Sequence, residues 1–145
     1  MVIVMDTREI GMSDSIIEKL RGAGVTPTQQ RVEIAQLLFA RPQHMSAEQV
    51  LNMVNVDGPV VSKATVYNTL GLFARKGLVK EVIVDPSKVF YDSNTSEHHH
   101  FFMLESGELM DIETDEIRLE NLPALPEGTV ADGIDIVIRV RNKPE

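Results

Sequence analysis

The hydrophobic positions along this chain change their spacing near residue 77. Before it, apolar side chains recur every three to four residues, which predicts helices. After it they alternate, which predicts strands. A first helix is expected over about 14–22, opened by Ser15 and Glu18 at capping-box spacing and stopped by Gly22 and Gly24. In Thr26-Pro27-Thr28-Gln29 a hydroxyl residue precedes a proline, and glutamine follows three residues on. That pattern predicts a second helix with Thr26 as its cap and Pro27 as its first residue. Its apolar stripe is Val32, Ile34, Leu37 and Leu38, and Pro42 ends it. Ser46-Ala47-Glu48-Gln49 opens a third helix, with Val50, Leu51 and Val54 as the buried side, and Asp57-Gly58-Pro59 turns the chain.

A fourth helix is predicted from Ser62 to Gly77, with Val66, Leu70 and Phe73 inward. Ala64, Asn68, Gly71 and Arg75 lie opposite, flanked by Thr65 and Tyr67. Small and hydrogen-bonding side chains on that face would let the helix enter a major groove, and Lys63 with the first backbone amides suits a phosphate. On periodicity alone, an ordinary surface helix is the better-supported reading. Beyond Gly77, Leu78, Lys80, Val82 and Val84 alternate with Val79, Glu81 and Ile83. Asp85-Pro86-Ser87-Lys88 then turns, and Val89-Phe90-Tyr91 returns. Three or four helices followed by a two-stranded hairpin is the layout of a winged helix.

The remaining third predicts a small sheet. Phe101–Leu104 and Leu109–Ile112 are strands around a Ser106-Gly107 turn, which would set Asp111 beside residues 101–103. Ile117 and Leu119 suggest a short helix, residues 122–128 a loop, and the alternation of residues 134–141 a last strand. So small a core gains stability by pairing with a second copy.

Charge also divides the chain, near residue 84. Residues 1–84 carry 9 Lys+Arg against 8 Asp+Glu, and residues 85–145 carry 5 against 14. The front half can therefore face phosphates although the whole chain is acidic. An apolar content of 43% supports a packed core. No apolar run approaches the roughly 20 residues that span a bilayer, and Met1–Met5 is too short for a signal peptide, so a cytoplasmic location is expected. The absence of cysteine excludes disulfides, thiolate zinc sites and cysteine nucleophiles.

Three of the four histidines are consecutive: His98, His99 and His100, preceded by a run that starts at Asp92. Imidazoles beside carboxylates make a ligand set for iron, manganese or zinc, and imidazole also holds haem. In an extended segment His98 and His100 point one way and His99 the other. Asp92 could fold back across the intervening loop and Asp111 could approach across the hairpin. His44, taken alone, reads as a loop histidine.

Four segments together resemble one known family. Thr26-Pro27-Thr28-Gln29-Gln30-Arg31, His44-Met45-Ser46-Ala47-Glu48, Val61-Ser62-Lys63-Ala64-Thr65-Val66-Tyr67-Asn68-Thr69-Leu70 and His98-His99-His100 are similar, in order and spacing, to the ferric uptake regulator (Fur) family over about 13–140. The resemblance implies an α+β protein: a flexible tail at 1–12, a winged-helix DNA-binding domain at 13–92, a hinge at 93–97, and a small α/β dimerisation and sensing domain at 98–145. It implies a homodimer, or a higher oligomer, that regulates transcription from AT-rich palindromic operators of double-stranded DNA. The sensory ligands of the family's peroxide-sensing branch fall on His44, Asp92, His98, His100 and Asp111. Base contact falls on Tyr67, with Ser62, Lys63, Thr65 and Asn68 nearby.

The chain departs from the common pattern. Met103 and Ser106 stand where a first Cys-x-x-Cys pair would be, and no structural zinc on four cysteines can form. A second site could use His99, but Arg118 and Gly133 fall where its other ligands would lie. The missing cysteines, the bare triplet and Asn68 resemble the iron response regulator (Irr) branch, which implies haem sensing through histidine. The expectation is therefore an iron- or haem-responsive regulator, with a peroxide, manganese or zinc sensor of the same family as the alternative. A small metal-dependent hydrolase could use the same ligands, but no obvious nucleophile or base accompanies them, so the chain is read as non-enzymatic.

Overall fold

The computed structural model of the protein describes residues 7–144, with side chains from residue 14 onward. It comprises two compact units, one ending at Thr95 and the other beginning at Ser96.

In the first unit the order is α1 (Thr7–Gly22), α2 (Gln29–Phe39), β1 (His44–Ser46), α3 (Ala47–Val54), α4 (Lys63–Arg75), β2 (Lys80–Asp85) and β3 (Lys88–Asp92). The helices close around Leu20, Ile34, Leu38, Val50, Val66, Leu70 and Phe73, all fully buried. Burial of such side chains is worth roughly 1.5–3 kcal/mol each and dominates the stability of the unit. The three strands form one antiparallel sheet in the order β1-β3-β2. Helices followed by the β2–β3 hairpin make the winged-helix layout that the periodicity predicts.

Local chemistry explains where the helices begin and end. Ser46 and Gln49 form a complete capping box at the start of α3. The Ser62 hydroxyl accepts from Thr65 N–H and caps α4. At the other end of α4, Gly77 adopts φ 75°, and Leu78 N–H donates to Phe73 O at 2.9 Å. That left-handed closure needs a residue without Cβ.

Three expectations need correction here. Helix α1 begins at Thr7, so Ser15 and Glu18 lie inside it. Capping-box spacing marks a start only where the preceding residues cannot continue the helix, and no proline precedes Ser15. Residues 1–6 of the expected tail lie outside the described residues. Helix α2 is capped by Thr28, whose hydroxyl accepts from Arg31 N–H, and not by Thr26. The Arg31 guanidinium donates to Thr26 O at 2.8 Å and holds that residue outside the helix. His44 lies in a strand rather than a loop, because Met45 is buried and β3 supplies the ladder.

The second unit is a three-stranded sheet. β4 (His99–Met103) is central, antiparallel to β5 (Leu109–Ile112) and parallel to β6 (Val137–Val140). Among the described residues its buried apolar side chains are Phe102, Leu109 and Ile112. The helix expected around Ile117 and Leu119 does not form; a 3-10 turn at Thr114–Glu116 stands before them. The strand expected over 134–141 shortens to four residues. His100 pairs with Val137, and β4 begins only one residue earlier, so residues before Ile136 have no ladder to join. The overall class is α+β, as predicted.

Candidate metal centre and reading helix

Strand geometry brings three ligand atoms together in the second unit. Side chains alternate across a strand, so His98 and His100 share a face. Their ring centroids lie 4.6 Å apart. The β4–β5 register sets Asp111 opposite His100, not opposite 101–103 as the turn suggested. The turn is wider than two residues: Met103 N–H donates to Glu108 O and Gly107 N–H to Met103 O, which shifts the register. As a result, Asp111 Oδ1 lies 3.3 Å from His100 Nε2 and 3.6 Å from His98 Nε2.

The second nitrogen of His98 decides what that proximity means. Its Nδ1 lies 2.7 Å from Ser96 O, an acceptor only, so Nδ1 carries the proton. In the neutral ring Nε2 then presents its lone pair toward the carboxylate. A carbonyl that holds the far nitrogen in this way is the usual support of a metal-bound imidazole. Lone pairs from a ring and a carboxylate repel unless a proton or a cation lies between them. Atoms bound about 2.1 Å from one ion at tetrahedral angles are about 3.4 Å apart, and the two distances bracket that value. Ligand atoms of His98, His100 and Asp111 all lie within 4.8 Å of one another. Both histidines are buried, whereas Asp111 is partly exposed.

His99 faces the other way and has a different task. Its Nδ1 accepts the Ile136 N–H at 3.1 Å, while the next residue, His100, donates its backbone N–H to Ile136 O. An accepting Nδ1 leaves the ring proton on Nε2, and the contact ties the segment before β6 to β4. At the positions where other second-site ligands would be expected, Arg118 pairs with Glu120 at 3.6 Å and Gly133 offers no side chain.

His44 and Asp92 belong to the first unit, where β1–β3 pairing sets them directly opposite each other. Asp92 is buried at the end of β3, and its carboxylate accepts Asn94 N–H at 2.9 Å. The His44 ring packs edge-on to Phe90, with centroids 6.3 Å apart. Two neighbours fix this pair in place. Ser93 N–H donates to Gln43 O, and the Gln43 carboxamide caps the end of α2 at Leu37 O.

On α4, Lys63, Tyr67 and Asn68 point outward, while Val66, Thr69, Leu70 and Phe73 are buried. Ser62 and Thr65 also face each other: the Ser62 hydroxyl donates to Thr65 Oγ1 at 2.9 Å and accepts Thr65 N–H at 3.1 Å. Their hydroxyls are thus engaged in starting the helix. Lys63 lies 5.8 Å from the centre of the Tyr67 ring and 3.7 Å from Glu48. Both charges of that pair are exposed, so it contributes at most about 1 kcal/mol and leaves Lys63 able to turn to a phosphate. A recess of about 310 Å³ lies beside the helix, lined by Gln30, Arg31, Thr65 and Asn68 among others.

The sequence pattern missed two contributions. Strand β1, which places His44, is only three residues long, and its signal is a single buried Met45 between two polar neighbours. The Ser96 carbonyl that orients His98 is a backbone group and leaves no mark in the residue types.

Comparison with known proteins adds a pattern over most of the chain. The sequence profile of the Ferric uptake regulator family matches residues 22–129. The chain is 33% identical over 113 residues to the peroxide-responsive repressor PerR of Staphylococcus aureus, covering 78% of this chain and 76% of that protein. Among solved structures, a ferric uptake regulator of Pseudomonas aeruginosa with manganese is similar at TM-score 0.66 and 29% identity. The match covers 88% of this chain and 97% of that one. A ferric uptake regulator of Francisella tularensis with iron shares the fold at TM-score 0.67 and 23% identity, over 83% and 93% of the two chains.

Proposed function

This chain belongs to the ferric uptake regulator family, whose members are metal-responsive transcription regulators and not enzymes, and we propose that it senses a divalent metal ion held by His44, Asp92, His98, His100 and Asp111. The observation that carries this reading is the convergence of His98 Nε2, His100 Nε2 and Asp111 Oδ1, with the His98 Nδ1 proton donated to Ser96 O. The donor set of imidazole nitrogen and carboxylate oxygen suits iron or manganese and accepts zinc. Bound there, the ion would supply a positive charge that holds the carboxylates and imidazoles together.

In this proposal a winged-helix reader over 13–92 and a dimerisation domain over 98–145 are joined by a hinge at 93–97. His44 and Asp92 come from the reader; His98, His100 and Asp111 come from the dimeriser. Drawing both sets onto one ion biases the angle between the two reading helices of a dimer. A metal that prefers the DNA-competent angle tightens DNA binding, and DNA tightens metal binding by the same factor. Members of the family bind DNA as dimers. The sheet face bearing Phe101, Met103, Met110, Ile112, Ile138 and Val140 supports self-association here, because Met110 and Ile138 are exposed apolar side chains on it. On the DNA side, Tyr67 contacts bases with Asn68, Lys63 contacts a phosphate, and Ser62 and Thr65 present the helix start to an AT-rich palindrome.

Likeness to a peroxide-responsive repressor favours peroxide as the signal. A haem-sensing reading is less well supported. His98 and His100 converge on a carboxylate, an arrangement for a small ion, and His99 Nδ1 is engaged with Ile136. Elemental analysis of the purified protein, haem titration, and DNA binding with and without a chelator test these alternatives. The proposal expects iron or manganese near one ion per chain and chelator-sensitive DNA binding. A stoichiometric haem complex with no metal affinity would overturn it. Gain of one oxygen atom in a peptide holding His44 or His98 after peroxide treatment would mark the peroxide-sensing branch.

A further inference from the structure

The two peptide groups that lead into α4 are held by two side chains. Asn55, at the end of α3, accepts both Val60 N–H and Val61 N–H on Oδ1 at 2.9 Å each, and donates from Nδ2 to Val61 O at 2.8 Å. Gln30, in the first turn of α2, donates from Nε2 to Val60 O at 3.2 Å. Every backbone donor and acceptor of residues 60–61 is therefore satisfied by a side chain from elsewhere, immediately before the Ser62 cap. The first part of the loop is held by its own backbone, with Gly58 N–H donating to Asn55 O at 3.0 Å, whereas residues 60–61 lean on the two side chains. The loop contains Gly58 at φ 127° and the exposed residues Val56, Asp57, Pro59 and Val60. Val61 alone is buried. Asn55 replaces the regular backbone ladder that this stretch lacks.

We propose that Asn55, assisted by Gln30, is the positioning residue that sets where the reading helix begins, and through it how well α4 discriminates between DNA sequences. This inference rests on the reading that α4 enters DNA. A base contact requires the helix start to be placed to a fraction of an ångström, whereas a phosphate contact by a flexible lysine does not. Loosening residues 60–61 therefore degrades base readout while leaving backbone attraction in place. Asn55 is half-buried, and its three bonds span the exit of α3 and the entry of α4.

The test uses the full chain, purified with its metal, and a duplex enriched by the wild-type protein from a randomised pool. Mixed-sequence duplex DNA serves as the non-specific reference. Asn55→Ala and Asn55→Ser are each expected to lower affinity for the enriched duplex about tenfold, with mixed-sequence affinity and its salt slope changed less than about twofold. Amide hydrogen exchange at Val60 and Val61 should accelerate in both, and metal content should stay at the wild-type level. Asn55→Asp keeps the acceptor for both N–H groups but sets a carboxylate oxygen against Val61 O, where Nδ2 donated at 2.8 Å, so it should not restore wild-type discrimination. A folded Asn55→Ala or Asn55→Ser protein that discriminates like wild type overturns the proposal, as does equal loss on both DNAs. Failure of both variants to fold would also overturn it, by making Asn55 a determinant of stability instead. If the wild-type protein enriches no duplex, the reading of α4 as a DNA reader fails, and that outcome is seen before any variant is made.

Discussion

Asp111 stands directly across the β4–β5 ladder from His100, and its Oδ1 is 3.3 Å from His100 Nε2. His98 approaches the same oxygen at 3.6 Å with its other nitrogen tied to Ser96 O. One carboxylate oxygen facing two imidazoles is a small electrostatic trap that a cation resolves better than water does, because both rings are buried.

Replacing both rings should therefore remove the response and leave the fold. His98→Ala with His100→Ala is expected to weaken metal binding by about 100-fold or more, a larger effect than loss of an outer-shell partner. Circular dichroism and chelator-controlled DNA binding check this. Metal-dependent DNA binding that survives intact in the double variant refutes the site.

His99 should behave unlike its neighbours. His99→Ala is expected to keep the metal stoichiometry and to speed hydrogen exchange at the Ile136 amide, whose acceptor it removes. Metal loss equal to that of the double variant would return His99 to the ligand set.

The proposed entry of α4 into DNA implies two kinds of contact. Tyr67→Ala should reduce binding to an enriched duplex by roughly 1–3 kcal/mol and spare mixed-sequence DNA, as removal of a base contact does. Lys63→Ala should lower binding to all sequences and reduce the magnitude of the salt slope by about 1. Titrations at several salt concentrations distinguish the two. A salt slope unchanged in Lys63→Ala would show that this lysine stays with Glu48 and Tyr67 on DNA.

Tyr91 makes stability fall in alkali. Burial raises its phenol above the usual tyrosine range, with nearby Glu81 and Tyr67 adding to the shift. The folded state therefore holds the phenolic proton longer than the unfolded chain does. The contribution is fully present below the ordinary tyrosine range, about pH 10, and is lost as pH climbs through the higher folded value. Thermal melts between about pH 9 and 11 should show a steeper decline for wild type than for Tyr91→Phe. Parallel declines would mean that Tyr91 stays protonated equally in both states.

Much of this protein was legible before folding was considered. The change of hydrophobic period at residue 77, the Ser46 and Ser62 caps and the Asp85–Lys88 turn are local facts, because each depends on residues within a turn or two of one another. The chemistry of the triplet was also local, since alternation along an extended strand separates His99 from His98 and His100 by itself. Residue type could not set the β4–β5 register that brings Asp111 to His100, the short β1 that places His44 opposite Asp92, or the truncation of β6 to the length its neighbour can pair. Those outcomes depend on which distant backbone groups find partners. The same holds for Thr28 displacing Thr26 as a cap and for Asn55 holding residues 60–61. Sequence determined helices α2 to α4, the β2–β3 hairpin and the candidate ligand types, because these follow from nearest neighbours. Only the tertiary structure decided the pairings, because every buried donor must find an acceptor and several candidates compete for each one.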